Sequence, residues 1–206
     1  MAANYDNSAW FYDHLSRVVF GNALITATGH FLNLIPPNSK VLIAGGGSGR
    51  ITEDICKIHQ SGLQITYVEL SAKMMALSRK RNPAENTISY INAPIEDAGL
   101  PPGFDVLITP FLLDSLSPAI FEQVIGCLDG LLLPGGIWIN TDFQLTGKWW
   151  QSFLLKTMFT FFKVMGCVEV TRLPLIKESF VAFGYGAINV QTFYGDFIVS
   201  TVYRKP

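Results

Sequence analysis

The sequence predicts an α/β protein: a seven-stranded, mostly parallel sheet with helices on both faces, extra helices at the N-terminus and an antiparallel hairpin at the C-terminus. Three observations carry this prediction. From residue 40 onward, short apolar runs alternate with segments of helical period, as a parallel sheet with crossover helices requires. The first run, Val41-Leu42-Ile43-Ala44, leads through Gly45-Gly46-Gly47-Ser48-Gly49 into a helical segment. Near the end, Gly195-Asp196 separates two β-rich runs, which marks a hairpin.

The elements follow in chain order. Trp10, Phe11, His14, Leu15, Val18 and Val19 form one helical stripe, and Leu24, Ile25, Thr28, Phe31, Leu32 and Ile35 a second. These predict N-terminal helices within 8–35, closed by Pro36-Pro37-Asn38. Strands are expected at 40–44, 64–69, 88–91, 104–109 and 135–141, and helices at 49–60, 71–81 and 117–130. Ala187–Tyr194 and Phe197–Tyr203 make the hairpin. Five strands in crossover units and two in the hairpin give seven. With no repeat or linker in view, residues 1–206 read as one domain: helices at 8–35, a core at 40–142, a helical insertion at 143–172, then a last helix and the hairpin at 173–206.

Composition narrows the function classes. The 206 residues are 49% hydrophobic and 15% charged, with a net charge of −1. That balance leaves no electrostatic footprint for nucleic acid. Cys56, Cys127 and Cys167 are odd in number and far apart, which fits buried thiols in a reducing cytoplasm better than disulfides or a metal site. Asp6, Asp13 and Arg17 interrupt any leader pattern. The uncharged span 18–39 holds Gly21, Asn22, Gly29, His30, Asn33 and two prolines, a poor membrane helix.

The glycine turn carries the chemistry. Bare backbone N–H groups at a strand-to-helix turn let a ligand approach closely. A dinucleotide loop reads G-x-G-x-x-G, which would put a glycine where Arg50 stands. The chain reads G-x-G-x-G at Gly45, Gly47 and Gly49. About 20 residues on, Glu69 ends the second strand, where an acid accepts both ribose hydroxyls of a nucleoside lying on the turn. This spacing resembles motif I of the class I S-adenosylmethionine-dependent methyltransferases. The resemblance implies a Rossmann-like fold and S-adenosylmethionine as cofactor, with S-adenosylhomocysteine as product. It places Gly45, Gly46, Gly47 and Gly49 against the methionine part, Glu69 on the ribose, and Leu70 and Met74 beside the adenine and ribose. In Tyr90-Ile91-Asn92-Ala93, Asn92 stands where the family usually has an acid, and Asn92 with Ala93 would read the adenine edge. Ile43 likewise stands where motif I often carries an acid. Leu131-Leu132-Leu133-Pro134-Gly135-Gly136 is similar to the family's turn before the fifth strand, and the matches run in order from about residue 40 to 142.

The segment Phe104–Leu116 resembles the fourth-strand motif of small-molecule methyltransferases, among them ubiquinone and menaquinone C-methyltransferases, and lacks the Pro-Pro-Tyr pattern of nucleobase N-methylating enzymes. It implies a small apolar or aromatic acceptor, O- or C-methylation, and Thr109 and Pro110 as the floor near the methyl group. Tyr12 is a further cofactor candidate by the same resemblance. For an acid–base or orienting role the candidates are Asp114, His30 and Asp142, with His14 behind them. A buried histidine, a helix cap and a turn acid are the plainer readings of the first three. Two alternatives stay open: an aminopropyltransferase-like enzyme, whose Asp would stand at Ser48, and a non-catalytic protein that binds S-adenosylmethionine or its product. The stretch Trp149–Met165 is apolar on both faces. It reads as a lid over an apolar acceptor, as core, as a dimer interface, or as a peripheral membrane contact.

Overall fold

The protein is described by a computed structural model that covers residues 12–164, 166 and 172–206, with side chains from Ser16 onward. Helices α1 (Tyr12–Phe20) and α2 (Ala23–Gly29) come first. The alternating region follows: β1 (Lys40–Ala44), α3 (Arg50–Ile58), β2 (Ser61–Val68), α4 (Ala72–Ser78), β3 (Glu85–Ile91), β4 (Phe104–Pro110), α5 (Pro118–Leu131) and β5 (Leu132–Phe143). The chain ends with α6 (Trp149–Val164), α7 (Ile176–Ala182), β6 (Gly186–Phe193) and β7 (Ile198–Arg204). The strands form one sheet in the order β3-β2-β1-β4-β5-β7-β6. Neighbours pair in parallel up to β5, and β7 runs antiparallel to both β5 and β6. Helices cover both faces and two extra helices precede the sheet, as the sequence predicts.

The central strands are apolar throughout because parallel strands are buried on both faces. Leu42, Ala44, Val68, Leu107 and Trp138 face one layer, packing with Val124, Leu128 and Phe180 from α5 and α7. Val41, Ile43, Ile65, Tyr67 and Ile108 face the other, with Leu32, Ile51, Ile55 and Met75. Trp138 is fully buried, and its indole N–H donates to the Thr109 hydroxyl at 2.8 Å, so its one polar atom is satisfied inside the core.

Three strands, β2, β3 and β5, begin three residues before the sequence predicts, β3 at Glu85. β5 begins at Leu132, where α5 ends, and Pro134-Gly135-Gly136 lies inside it. Phe104 pairs with Leu132, but Val106 pairs with Ile137, so those three residues are a bulge. A Cβ on Gly136 would stand 2.8 Å from the Leu133 carbonyl oxygen and 3.0 Å from that of Asp105, which explains the glycine there. β2 begins three residues early at Ser61, with a register shift before Gln64.

The chain passes from β1 to β2 to β3 and then returns to the other side of β1. The order therefore reverses between β1 and β4, and a crevice opens there beyond the carboxyl ends of the strands. The glycine turn after β1 and the Pro110-Phe111-Leu112 turn after β4 both meet at this crevice.

A third cluster lies beyond β5, where Phe20, Phe143, Leu155, Phe197 and Ile198 are buried together. The hairpin turn holds the surrounding helices. Lys148 Nζ donates to the Gly195 carbonyl at 3.1 Å and to the Asp196 carboxylate at 2.8 Å, and Gln151 Nε2 donates to the Gly195 carbonyl at 3.1 Å. The Tyr194 hydroxyl donates to the Val19 carbonyl at 2.9 Å, which ties in α1. Among the described residues, no helix is long and apolar enough to cross a membrane, and no group of His, Cys, Asp and Glu could hold a metal ion.

Candidate active site

The glycines of the first turn answer to different neighbours. A Cβ on Gly46 would sit 2.5 Å from the Tyr67 ring, and one on Gly49 would sit 2.6 Å from the Ser78 Cα. Gly49 thus lets the start of α3 pack against α4. At Gly47 the same construction meets nothing within 4 Å, and Gly47 lines the cleft. Both Gly47 and Gly49 hold positive φ, at 63° and 80°. Gly49→Ala should therefore cost about 2–4 kcal/mol of stability, from the left-handed backbone plus the clash. Gly47→Ala should cost only about 1–2 kcal/mol. Urea unfolding of the two variants measures the contrast.

Glu69 sits at the tip of β2 and is 7% exposed. One carboxylate oxygen accepts the Gly47 N–H at 2.9 Å, and the other accepts the Ser71 N–H at 2.8 Å. The carboxylate is therefore fixed in orientation across the mouth of the glycine turn. A carboxylate accepts on both oxygens, which is the chemistry that a pair of ribose hydroxyls needs. Ser71 also caps α4 by accepting the Met74 N–H at 3.1 Å, which sets Met74 toward the cleft.

Tyr67 completes the brace, and sequence reasoning missed it. Its hydroxyl donates to the Gly47 carbonyl at 2.9 Å while its ring lies against Gly46. Burial, with the charge of Glu69 added, raises its pKa well above the ordinary tyrosine value, so it remains a neutral donor. The signal was present: strand period puts positions 67 and 69 on one face. From outside, Arg81 Nε donates to the Ser48 carbonyl at 3.0 Å, and its guanidinium meets Glu53 at 3.1 Å.

The cleft has three walls. Gly45, Gly46, Gly47, Ser48, Glu69, Leu70 and Met74 form the first, with Ala93, Ile95 and Glu96 beyond them. Pro110, Phe111, Leu112, Ser115, Leu116 and Val124 form the second. The third is the roof, and it comes from Ser16 and Arg17 of α1 and Leu24, Ile25 and Thr28 of α2. The structure thus brings together eight residues that the sequence singles out: Gly45, Gly46, Gly47, Glu69, Leu70, Met74, Ala93 and Pro110.

Other candidates lie elsewhere. Gly49 supports α4 as described. Asn92 is exposed and donates its amide to the carbonyls of Glu69 at 2.7 Å and Leu70 at 2.9 Å, bracing the turn after β2. Thr109 is fully buried, accepting from Trp138 and donating to Asn140 Oδ1 at 2.7 Å, so its hydroxyl serves the sheet. His30 is exposed at the end of α2, its ring 4.6 Å from Phe31 and 5.3 Å from Phe193. It is neither a core histidine nor part of the cleft. The side chains of Tyr12 and His14, and all of Met165 and Cys167, lie outside the described residues.

Asp114 and Asp142 stand together behind the cleft, 5% and 1% exposed, and neither lines it. The Asp114 N–H donates to Asp142 at 3.4 Å, and the Phe143 N–H donates to Asp114 at 3.4 Å. Burial pushes the Asp114 carboxyl up to about 7. Burial and then the charge of Asp114 push Asp142 well above the carboxylate range. Asp142 Oδ2 has no hydrogen-bond partner. The pair has the character of two acids sharing protons inside the fold.

Helix α6 does not roof the cleft. Leu154, Leu155 and Met158 pack into the cluster around Phe143 and Phe197, and no residue of α6 is among those lining the cleft. Among the described residues, α1 and α2 roof the cleft and the insertion does not.

Residues 42–140 match the family model of a methyltransferase domain. The matched stretch is just under half of the chain, and the seven-stranded fold around it is that of solved methyltransferases, one of them holding S-adenosylhomocysteine. A curated relative from Synechocystis, an uncharacterized methyltransferase, is 28% identical over 145 residues, spanning 68% of this chain and 66% of that protein. Among solved structures, one similar fold is the 1,6-didemethyltoxoflavin-N1-methyltransferase of Burkholderia thailandensis, bound to 1,6-didemethyltoxoflavin and S-adenosylhomocysteine. It has a TM-score of 0.64 and 17% identity, and the match covers 96% of this chain and 88% of that one. Another is a chain from the complex of the Haloferax volcanii Trm112 methyltransferase activator with a methyltransferase. Its TM-score is 0.74 and its identity 13%, with 100% and 99% of the two chains covered. At these identities the solved structures share the fold of the domain.

Proposed function

We propose that the chain transfers a methyl group from S-adenosylmethionine to a small apolar or aromatic acceptor, by O- or C-methylation, in the reducing cytoplasm. The observation that carries this reading is the pairing of an oriented carboxylate on the glycine turn with an apolar wall facing it. Glu69 supplies acceptor positions for two ribose hydroxyls. Leu70, Met74, Ala93 and Ile95 offer an apolar slot for the adenine, and Arg17 in the roof offers a cation for the amino-acid carboxylate. When bound, the cofactor supplies an electrophilic methyl group on a positively charged sulfur.

On the acceptor side, the residues position and shield. Leu24, Ile25, Phe111, Leu112, Leu116 and Val124 exclude water. In the walls beside them, Ser115 donates to the Leu112 carbonyl at 2.7 Å, and Thr28 donates to the carbonyls of Leu24 and Ile25 at 3.1 Å each. Glu69 and Glu96 are the carboxylates of the described lining. Such a wall suits a nucleophile that is already acidic or activated, as in ubiquinone and menaquinone C-methyltransferases and in O-methyltransferases. A cationic polyamine would meet too few acids.

Calorimetry with S-adenosylmethionine and S-adenosylhomocysteine tests the cofactor. Both should bind with Kd values near the micromolar range, about −8 kcal/mol, and NADH should give no heat. Silence from both adenosyl compounds would overturn the reading. Methyl transfer to planar phenols or enols, and not to spermidine or oligonucleotides, tests the acceptor class. Binding with no turnover on any acceptor would favour a non-catalytic role.

A further inference from the structure

Helix α6 keeps an apolar face that stays exposed among the described residues. Its inner side is spent on the cluster around Phe143 and Phe197: Leu155 is 4% exposed, Gln151 is fully buried, and Trp150, Leu154 and Met158 pack beside them. On the outer side, Trp149 is 80% exposed, Phe153 69% and Val164 82%. At 100° per residue, these three fall within a 60° arc of the helix. Exposed apolar side chains in one stripe mark a surface that meets something.

The charge around the stripe says what it meets. The helix carries Lys156 and Lys163 and no acidic residue. Both lysines are exposed and lie on one rim of the stripe, within 40° of Trp149 in helical angle. The third lysine, Lys148, is already held by Asp196. A second copy of this face would bring lysines against lysines. An anionic lipid surface offers the opposite: acyl chains for Trp149, Phe153 and Val164, and negative headgroups for the lysines beside them. The helix does not cross a membrane, so it would lie along one.

We propose that α6 docks the protein reversibly on anionic lipid surfaces, through Trp149, Phe153 and Val164 with Lys156 and Lys163 at the rim. The inference stands apart from the cofactor reading, and it fails or holds separately from it.

Sedimentation of the full chain with vesicles tests it, using phosphatidylcholine alone or with phosphatidylserine. The wild type should sediment with the mixed vesicles and not with phosphatidylcholine alone, and high salt should weaken binding. W149S/F153S/V164S should lower the bound fraction at least tenfold, while its melting temperature and S-adenosylmethionine binding match the wild type. K156E/K163E should lose the preference for anionic vesicles. No sedimentation of the wild type, equal binding to neutral vesicles, or binding unchanged in the triple variant would each overturn the proposal. So would a dimer on size exclusion that the triple variant dissolves.

Discussion

Glu69→Ala should weaken S-adenosylmethionine binding by about 100-fold or more. Hydrogen bonds to a charged acceptor contribute about 1.5–3 kcal/mol each, and two ribose hydroxyls would lose theirs together, or about 3–4 kcal/mol in affinity. The variant also frees the Gly47 and Ser71 N–H groups that the carboxylate now accepts. Glu69→Gln separates these effects. It keeps the volume but turns one acceptor into a donor that faces an N–H. It should therefore lose about tenfold in affinity while melting within a few degrees of the wild type. Calorimetry and thermal melts on both variants measure the two losses. Wild-type affinity in Glu69→Ala would remove the carboxylate from the cofactor site.

Asp142→Asn should stabilise the protein at alkaline pH. Asp114 titrates near 7 in the fold, against an ordinary carboxylate near 3.8, and Asp142 is displaced further. The folded state thus holds protons more tightly than the unfolded chain. The sign follows: the pair's contribution is fully present below about pH 4 and is lost as pH rises through 7. For Asp114, the rise from the ordinary carboxylate value to about 7 corresponds to about 4 kcal/mol at most. An amide at position 142 cannot ionise, which lets Asp114 titrate without a charged neighbour. A gain of about 2 kcal/mol at pH 8 would raise Tm by about 4–8 °C, with a smaller gain at pH 5 and little change at pH 4. Cofactor affinity should be unchanged, since neither acid lines the cleft. A lower Tm at pH 8 would contradict this account of the pair.

How much was legible in the sequence depended on whether the signal was local. The glycine turn and Glu69 lie on one strand–turn–helix unit and the strand tip that follows it, so spacing alone placed them. Thr109 and Asp114 sit at the right end of β4 in the sequence. Which way each side chain points is settled by distant partners: Trp138 and Asn140 for Thr109, Asp142 and Phe143 for Asp114. The roof was missed for the same reason. The apolar stripe of α2 looks the same whether it covers a core or a cleft, and the stronger apolarity of α6 drew the lid to the wrong helix. The Pro134-Gly135-Gly136 bulge was read as the approach to β5 because a proline inside a strand usually argues against one.

The two halves of the cleft come from separable stretches of the chain. Apart from Arg17, the cofactor side lies between Val41 and Glu96, and the roof is made by the described residues before Leu32. Among the described residues, Tyr194 ties to the Val19 carbonyl at 2.9 Å and His59 Nε2 to the Leu32 carbonyl, just past the roof, at 2.9 Å. Such a layout is a socket with an exchangeable cap. Changing the roof positions other than Arg17 would reshape the acceptor side and leave the strand–turn–helix unit that carries the glycine turn and Glu69 untouched.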